Sequence, residues 1–381
     1  MSIRVEQRLW TSRDGWTVLP GSADAADAQL LLVFGGRVAL EDDAARAAIR
    51  SAFPSANVVG CSTAGEICGT DVSDDCVVAT ALHFEHTGVR VAVEPLPSAI
   101  ESEAVGERIA RALLGDGLTH VLVLSEGVHV NGSELLAGLR RALPPSVVVT
   151  GGLAGDGAQF ERTYVWHDDA LLERHVIAVG LYGDRLHVGY GSMGGWDPFG
   201  PERVITRSEG NVLYELDGGS ALALYKSYLG AYAGDLPSSG LLFPLSLRGD
   251  GTGPGVVRTI LGIDEDAGSL TFAGDIPQGG VAQLMKANVD RLIDGSQGAA
   301  TAAHSVMGQH TPDVALLISC VGRKLVLKQR VEEEVESVRE VLGVNVPLCG
   351  FYSYGEIAPF TGSVRCELHN QTMTITTLDE R

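Results

Sequence analysis

The sequence predicts an α/β protein of two parts, each a mixed sheet covered by helices. Three observations carry that prediction. A pattern of strand, helix, strand, glycine turn and paired strands is used three times along the chain. Its strands are short apolar runs, and its helices show apolar residues at helical spacing. Short connections of one handedness favour layering such helices over a sheet. The turn itself is repeated: Gly60-Cys61-Ser62-Thr63-Ala64-Gly65-Glu66-Ile67 returns near the other end as Gly350-Phe351-Tyr352-Ser353-Tyr354-Gly355-Glu356-Ile357.

Taken in order, residues 1–27 hold Trp10 and Trp16 and then a small, polar run, which reads as an extended lead-in and linker. Leu30 to Phe34 is an apolar strand, Gly35-Gly36 breaks it, and Ala44, Ala45, Ala48, Ile49, Ala52 and Phe53 mark a helix face. Asn57 to Val59 leads into the first turn, and Cys76 to Phe84 with Val89 to Val93 reads as a hairpin through His86-Thr87-Gly88. The second pass is offset by 91 residues, Gly36 matching Gly127 and Gly60 matching Gly151. Its strands are Val121 to Leu124 and Val147 to Val149, its helix face Leu135, Leu136, Leu139 and Leu143. The turn that follows carries Asp156, and the strands Tyr164 to Trp166 and Val176 to Tyr182 close the pass.

Between the second and third passes, the stretch from Gly200 to Gly218 reads as an alternating strand running into a turn, and Leu222, Tyr225 and Leu229 give a short helix, so a boundary is placed near Gly219. The parts are then 1–27, 28–219 and 220–381. A glycine-rich loop from Arg248 to Gly255 precedes a strand at Val256 to Leu261, and Val281, Leu284, Met285, Val289, Leu292 and Ile293 mark another helix. In the third pass Val314 to Ile318 is a strand and Leu327, Val331, Val335, Val338 and Leu342 line one long helix. Val346 to Leu348 leads into the last turn, and Val364 to His369 with Thr372 to Leu378 closes the chain.

The totals exclude several classes. A net charge of −20 argues against nucleic acid, because such binders set Lys and Arg against phosphates. No apolar run approaches the ~18 residues of a membrane span, and the first residues lack the apolar core of a signal peptide, so a cytoplasmic protein with no membrane partner is expected. The six cysteines show no Cys-x-x-Cys spacing, so neither a zinc finger nor a disulfide framework is supported. Gly-x-Gly-x-x-Gly and the P-loop pattern are missing from their proper contexts. Cys61 and Ser62 stand where a strand meets a turn, but nothing near them in sequence supplies a base, and no catalytic residue is assigned. His83 and His86 fall on opposite faces of a strand, so no metal site is assigned either.

A glycine after a hydroxyl lets the chain turn sharply with its amides exposed, and the carboxylate beyond it either grips a polar ligand or satisfies the turn's own donors. On the first reading the ligand site comprises Thr63, Gly65, Glu66, Asp156, Ser353, Tyr354, Gly355 and Glu356, with the turns meeting near a pseudo-symmetric cleft. Arg258, alone among Val256, Val257, Ile260 and Leu261, is the charge expected to face an acidic group of the ligand.

These turns, with Gly151-Gly152-Leu153-Ala154-Gly155-Asp156-Gly157, the stretch Gly200-Pro201-Glu202-Arg203-Val204-Ile205-Thr206-Arg207-Ser208-Glu209-Gly210-Asn211 and the closing His369-Asn370-Gln371-Thr372, resemble the FIST (F-box and intracellular signal transduction) family over about Ala28 to Leu378. The resemblance implies N- and C-terminal FIST parts and a sensory module that binds a small ligand such as an amino acid and is not an enzyme. Some bacterial members are haem-containing nitric oxide sensors acting on a partner histidine kinase, so the resemblance admits haem without fixing its ligand. Since no kinase, cyclase or F-box segment is recognisable, the output is expected to pass to a separate protein such as a histidine kinase. An enzyme using the turn carboxylates or Cys61 is the competing class.

Overall fold

The structure, a computed structural model, describes residues 3–249, 255–360 and 365–381. The first strands are β1 (Arg4–Thr11), β2 (Gly15–Val18), β3 (Leu30–Gly36), β4 (Asn57–Thr63), β5 (Glu66–Cys68), β6 (Asp71–Ser73), β7 (Val77–His83) and β8 (Gly88–Pro95), with helices α1 (Arg37–Leu40), α2 (Asp43–Ala52) and α3 (Ser102–Leu113). The second pass supplies β9 (Leu118–Ser125), α4 (Gly132–Ala142), β10 (Val148–Leu153), β11 (Val165–His167), β12 (Ala170–Leu172), β13 (His175–Tyr182) and β14 (Leu186–Met193). The helices start where a side chain can take their free N–H groups. Asp42 accepts from Ala45 at the head of α2, and Asn131 accepts from Ser133 and Glu134 at the head of α4.

An inserted sheet follows, built from β15 (Asp197–Glu209), β16 (Val212–Leu216), β17 (Gly219–Ser220), β18 (Leu245–Arg248), β19 (Val256–Arg258), β20 (Ile260–Asp264), β21 (Ser269–Phe272) and β22 (Val281–Lys286), with α5 (Ala221–Leu229) packed on it. The chain ends with α6 (Val289–Met307), β23 (Val314–Cys320), α7 (Val321–Leu327), α8 (Val331–Leu342), β24 (Leu348–Ser353), β25 (Gly355–Pro359), β26 (Cys366–His369) and β27 (Met373–Glu380).

The α/β class and the mixed, helix-covered sheets are as predicted, and the three passes have one design. In each, two parallel strands are joined through helix, and two antiparallel strands extend the sheet: β4-β3-β7-β1, β10-β9-β13-β8 and β24-β23-β27-β14. Each sheet then receives a hairpin from another pass. The hairpin β11–β12 of the second pass pairs with β4 of the first, β25–β26 of the third pairs with β10 of the second, and β5–β6 of the first pairs with β24 of the third. The exchange is cyclic, so no pass has a complete sheet alone. Strands from both sides of Gly219 pair in three of the four sheets among the described residues. The inner faces meet in one apolar core, where Leu30, Leu32 and Phe34 face Leu122, Leu124, Leu316 and Ile318. Each fully buried side chain of this size contributes roughly 1.5–3 kcal/mol.

Several local expectations are corrected. Residues 4–18 are not a lead-in: β1 and β2 extend the first sheet, β1 pairing with β7 from Arg4 opposite His83 to Trp10 opposite Val77. The segment His86-Thr87-Gly88 does not close a hairpin; it carries the chain between sheets, since β8 pairs with β13. Ladder register sets Val33 opposite Gly60 and Val123 opposite Gly151, so the first strands are offset by 90 rather than 91 and Gly36 corresponds to Glu126. Val281 to Lys286 is strand, and the helix waits for its cap at Asn288, which accepts from Arg291. The last long helix breaks at Lys328, whose φ is +50°. Residues 250–254, within the glycine-rich loop, and Val364 lie outside the described residues. Among the described residues no helix is long and apolar enough to cross a membrane.

Candidate functional site

The three glycine turns meet. Ala64 donates its N–H to Tyr352 O at 2.8 Å and Tyr352 returns one to Gly65 O at 2.8 Å. Gly155 donates to Ser62 O at 2.9 Å, Gly157 to Thr63 O at 3.2 Å, and Tyr354 to Leu153 O at 3.2 Å, so the turns close a ring around the pseudo-threefold axis. Thr63, Glu66, Asp156, Ser353, Tyr354 and Glu356 are all buried there. Gly65 takes φ +135°, and a Cβ on it would lie 2.3 Å from Lys324 Nζ, which donates to Ala64 O at 2.9 Å.

Within this junction the carboxylates are occupied by their own turns. Glu66 accepts from Thr63 Oγ1, from the Cys76 N–H at 3.3 Å and from Cys76 Sγ at 3.2 Å. Glu356 accepts from Ser353 Oγ at 2.7 Å, and from the N–H and hydroxyl of Thr372 at 3.2 and 2.9 Å. The two are equivalent: each accepts the hydroxyl three residues earlier and the N–H of the residue that opens the next core strand. In the second pass the residue in the same register is Val165, and Asp156 instead organises a longer loop. It accepts the N–H groups of Phe160, Glu161 and Arg162 at 2.9–3.0 Å and the Tyr354 hydroxyl.

Arg258 stands elsewhere. It is buried, donates Nη1 to Leu368 O at 2.8 Å, and has the charges of Glu367 and Asp275 nearest to it, while its Nε has no acceptor. Burial lowers its guanidinium to about 10. The structure thus unites eight of the nine sequence-assigned residues and sets Arg258 apart from their carboxylates.

Burial governs the titration of the junction. It pushes Glu66 up to about 7 and Glu356 up to about 8, against the lowering pull of their hydrogen bonds, from an ordinary 4.5. The folded chain therefore holds protons that the unfolded chain releases near 4.5. That stabilisation is complete below 4.5 and is lost as pH rises through 7 and 8. Burial also lowers His120 to about 3 and His369 to about 4, which removes stability only below about 6.5. Between pH 6.5 and 8 the carboxylates dominate, the raised thiols adding a smaller change of the same sign only near pH 8, and urea unfolding should show a fall of about 2 kcal/mol. Glu356→Gln should remove most of that slope; a wild-type stability that rises over this interval contradicts the assignment.

The same core bears on a cysteine nucleophile and on haem. Cys61 is fully buried, and burial followed by the nearby Glu66 charge pushes its thiol well up, so the thiolate that attacks is not formed. His120 and Cys349 line a central apolar cavity of about 20 Å³. A water needs roughly 10–15 Å³, so these residues do not fit a haem there.

Open space lies at the rims of the exchanged hairpins. Three grooves occupy equivalent places, each where a hairpin end overhangs a helix of the receiving pass: Cys68 to Asp71 over the end of α8, Asp168 and Asp169 over α2, and Arg365 and Cys366 over the end of α4. Their volumes are about 600, 350 and 270 Å³. In the second, Asp168 and Asp169 lie within 4 Å of Arg50, and the third is largely apolar, lined by Leu143, Pro144, Pro145, Val147 and Val149.

The first and largest groove combines Gln7, Ser22, Asp71, Asn345 and Arg339. Arg339 donates only Nη1, to the carbonyls of Gly343, Val344 and Val346, and burial lowers its pKa. Asp71 has no side-chain partner among the described residues. Sequence reasoning missed this groove because its walls come from residues 5–22, 68–71 and 339–347, which only the strand exchange brings together.

Residues 29–219 match the FIST N domain and residues 221–359 the FIST C domain. An uncharacterised protein of Mycobacterium bovis is 28% identical over 243 residues, 61% of this chain and 60% of that protein. One from Mycobacterium tuberculosis is 27% identical over 256 residues, 63% of each chain, and one from Methanocaldococcus jannaschii is 24% identical over 269 residues, 63% of this chain and 50% of that protein. The chain thus spans about 60% of the length of the first of these relatives. Among solved structures, cyanuric acid hydrolase from A. caulinodans aligns over 100% of both chains with a TM-score of 0.38 and 9% identity. With both domains matched in order, the chain belongs to the FIST family, whose domains are generally sensors in signal transduction.

Proposed function

We propose that the protein senses a small polar, amino-acid-like ligand in the groove between hairpin β5–β6 and the end of α8, and signals to a separate effector such as a histidine kinase. One observation carries the reading: a groove of about 600 Å³ offers a half-buried cation, Arg339, and an unpaired anion, Asp71, among neutral hydrogen-bonding groups. An α-amino acid carries the complementary pair of charges. A guanidinium half-removed from water attracts a carboxylate more strongly than an exposed one, and its fork matches that carboxylate.

The position of the groove supports a signalling role. Asp71 and Cys68 belong to the hairpin that begins at Glu66, and Glu66 pairs with Phe351 of the third pass. A ligand that draws the hairpin toward α8 acts directly on the turn junction. The test is calorimetric titration with the common amino acids and their decarboxylated and amidated analogues. One amino acid should bind, its decarboxylated analogue should not, and Asp71→Asn should weaken binding about tenfold without changing the melting temperature of the free protein. Tenfold corresponds to about 1.4 kcal/mol, the worth of one charge-assisted hydrogen bond. Heat-free titrations across the panel, or binding indifferent to Asp71, would overturn the reading.

A further inference from the structure

Away from the grooves, three metal-ligating side chains converge at the edge of the third sheet. His187 on β14 lies directly opposite Asp379 on β27, so both project from the same face. His310, just after α6, brings its Nδ1 to 3.0 Å from Asp379 Oδ2, and its ring stacks on that of His187 with centroids 3.7 Å apart. The possible ligand atoms of all three lie within 4.8 Å of one another.

Burial and hydrogen bonding single this cluster out. Asp379 is fully buried, and its Oδ1 accepts no hydrogen bond, although it forms an ion pair with Arg381 Nε at 2.9 Å. A buried carboxylate oxygen held by an ion pair with a half-exposed arginine, and by no hydrogen bond, is incompletely satisfied. The ring nitrogens of His187 likewise have no partner among the described residues. The other charged groups nearby are Asp313, held by the N–H groups of Ile3 and Glu380, and Arg381, 4.0 Å from it. Both histidines are half-buried, so an ion can reach them from solvent.

We propose that His187, His310 and Asp379 form a binding site for a divalent first-row transition ion of the zinc class. Two imidazoles and one carboxylate are the donor set such ions take, and three protein ligands leave a position for water or a partner group. The nitrogen lone pairs of two stacked rings run side by side rather than toward one point, so convergence on one ion with bonds of about 2.0–2.2 Å requires the rings to unstack. The half-buried histidines have room to rotate, and the buried carboxylate stays fixed. Ligation satisfies Asp379 and ties the last strand to β14 and to the end of α6.

The test uses the full chain stripped with a chelator and titrated with Co²⁺ and Zn²⁺. One equivalent of Co²⁺ should give visible d–d absorption without a thiolate charge-transfer band, and Zn²⁺ should displace it and raise the melting temperature. His187→Gln, at a half-buried position, should weaken binding at least tenfold while leaving the metal-free melting temperature unchanged; His310→Gln checks the second ligand independently. Absence of one-to-one binding, a thiolate band that places the ion on cysteine, or affinity unchanged in His187→Gln would each overturn the site.

Discussion

Glu334→Ala should cost roughly 3–5 kcal/mol, the cost of breaking a buried ion pair from one side. Arg323 on α7 and Glu334 on α8 are both fully buried. Arg323 donates Nε and Nη2 to Glu334 Oε2 at 3.1 and 2.8 Å, Nη1 to Gly194 O at 2.7 Å, and Nη2 also to Leu292 O and Ser296 Oγ. Glu334 Oε1 takes the hydroxyls of Ser319 and Tyr352. The pair thus joins α6, α7, α8, β23 and β24 behind the strand that carries the third glycine turn. Alanine at 334 leaves the guanidinium charged and dry; Glu334→Gln keeps the shape and loses the charge, and should cost less. The double change Arg323→Met with Glu334→Leu should recover most of the loss, because well-packed apolar replacements of a buried pair are often neutral or better. Urea unfolding of the four proteins is decisive, and a Glu334→Ala loss below about 1 kcal/mol would mean that water reaches the arginine.

The three passes were legible because each has its own local chemistry: an apolar strand, a helix face and a glycine turn within some forty residues. The partners of the strands were not. Nothing in Glu66-Ile67-Cys68 or Val165-Trp166-His167 states which sheet receives it, because a short strand pairs through its backbone and any apolar edge offers the same groups. The hairpin read at His86-Thr87-Gly88 failed for that reason: β7 and β8 are adjacent in sequence but complete different sheets. At Val281 to Ile293 the apolar spacing suited helix and strand alike, and the cap at Asn288 was the signal that separated them. The strand β14 was missed because its glycines hide its pattern. A Cβ at Gly191 would meet Ala299 O at 2.0 Å, so close packing of α6 on this strand selects glycine over a β-former.

For the site, the sequence showed the hydroxyl three residues before each glutamate in the first and third turns, which is the pairing the structure has, but it left open whether that pair grips a ligand or its own turn. The choice depends on burial, a property of the whole assembly. Arg258 was rightly singled out as a charge in an apolar strand; its acceptor, Leu368 O, lies 110 residues away and carries no side-chain signature. The pair His187 and His310 is hidden in the same way, joined by sheet register and a helix end rather than by spacing.

A single added methyl group should have a large effect at the three equivalent glycines, Gly60, Gly151 and Gly350. Each sits in the second parallel strand of its pass, opposite Val33, Val123 and Leu317. A Cβ would come within 1.9 Å of Val33 O, 1.9 Å of Val123 O and 1.8 Å of Leu317 O, with the carbonyl carbons 2.7–2.8 Å away. The obstacle is backbone in the middle of a buried sheet, so no side chain can swing aside. Neither can the strand retreat, because its far edge holds the exchanged hairpin from another pass. Gly151 adds a φ of +148°, which an L-residue resists independently. Alanine at any of the three should therefore cost more than about 4 kcal/mol, in the range reserved for strain that cannot relax, and at Gly350 it should also loosen the junction held through Tyr352. Gly308→Ala is the control, with φ +64° and nothing within 4 Å of its Cβ; it should cost roughly 1 kcal/mol from backbone strain alone. Soluble yield and urea unfolding distinguish the two groups. If the three core variants unfold no more easily than Gly308→Ala, the close strand approach, and with it the reason a glycine opens every turn segment, is wrong.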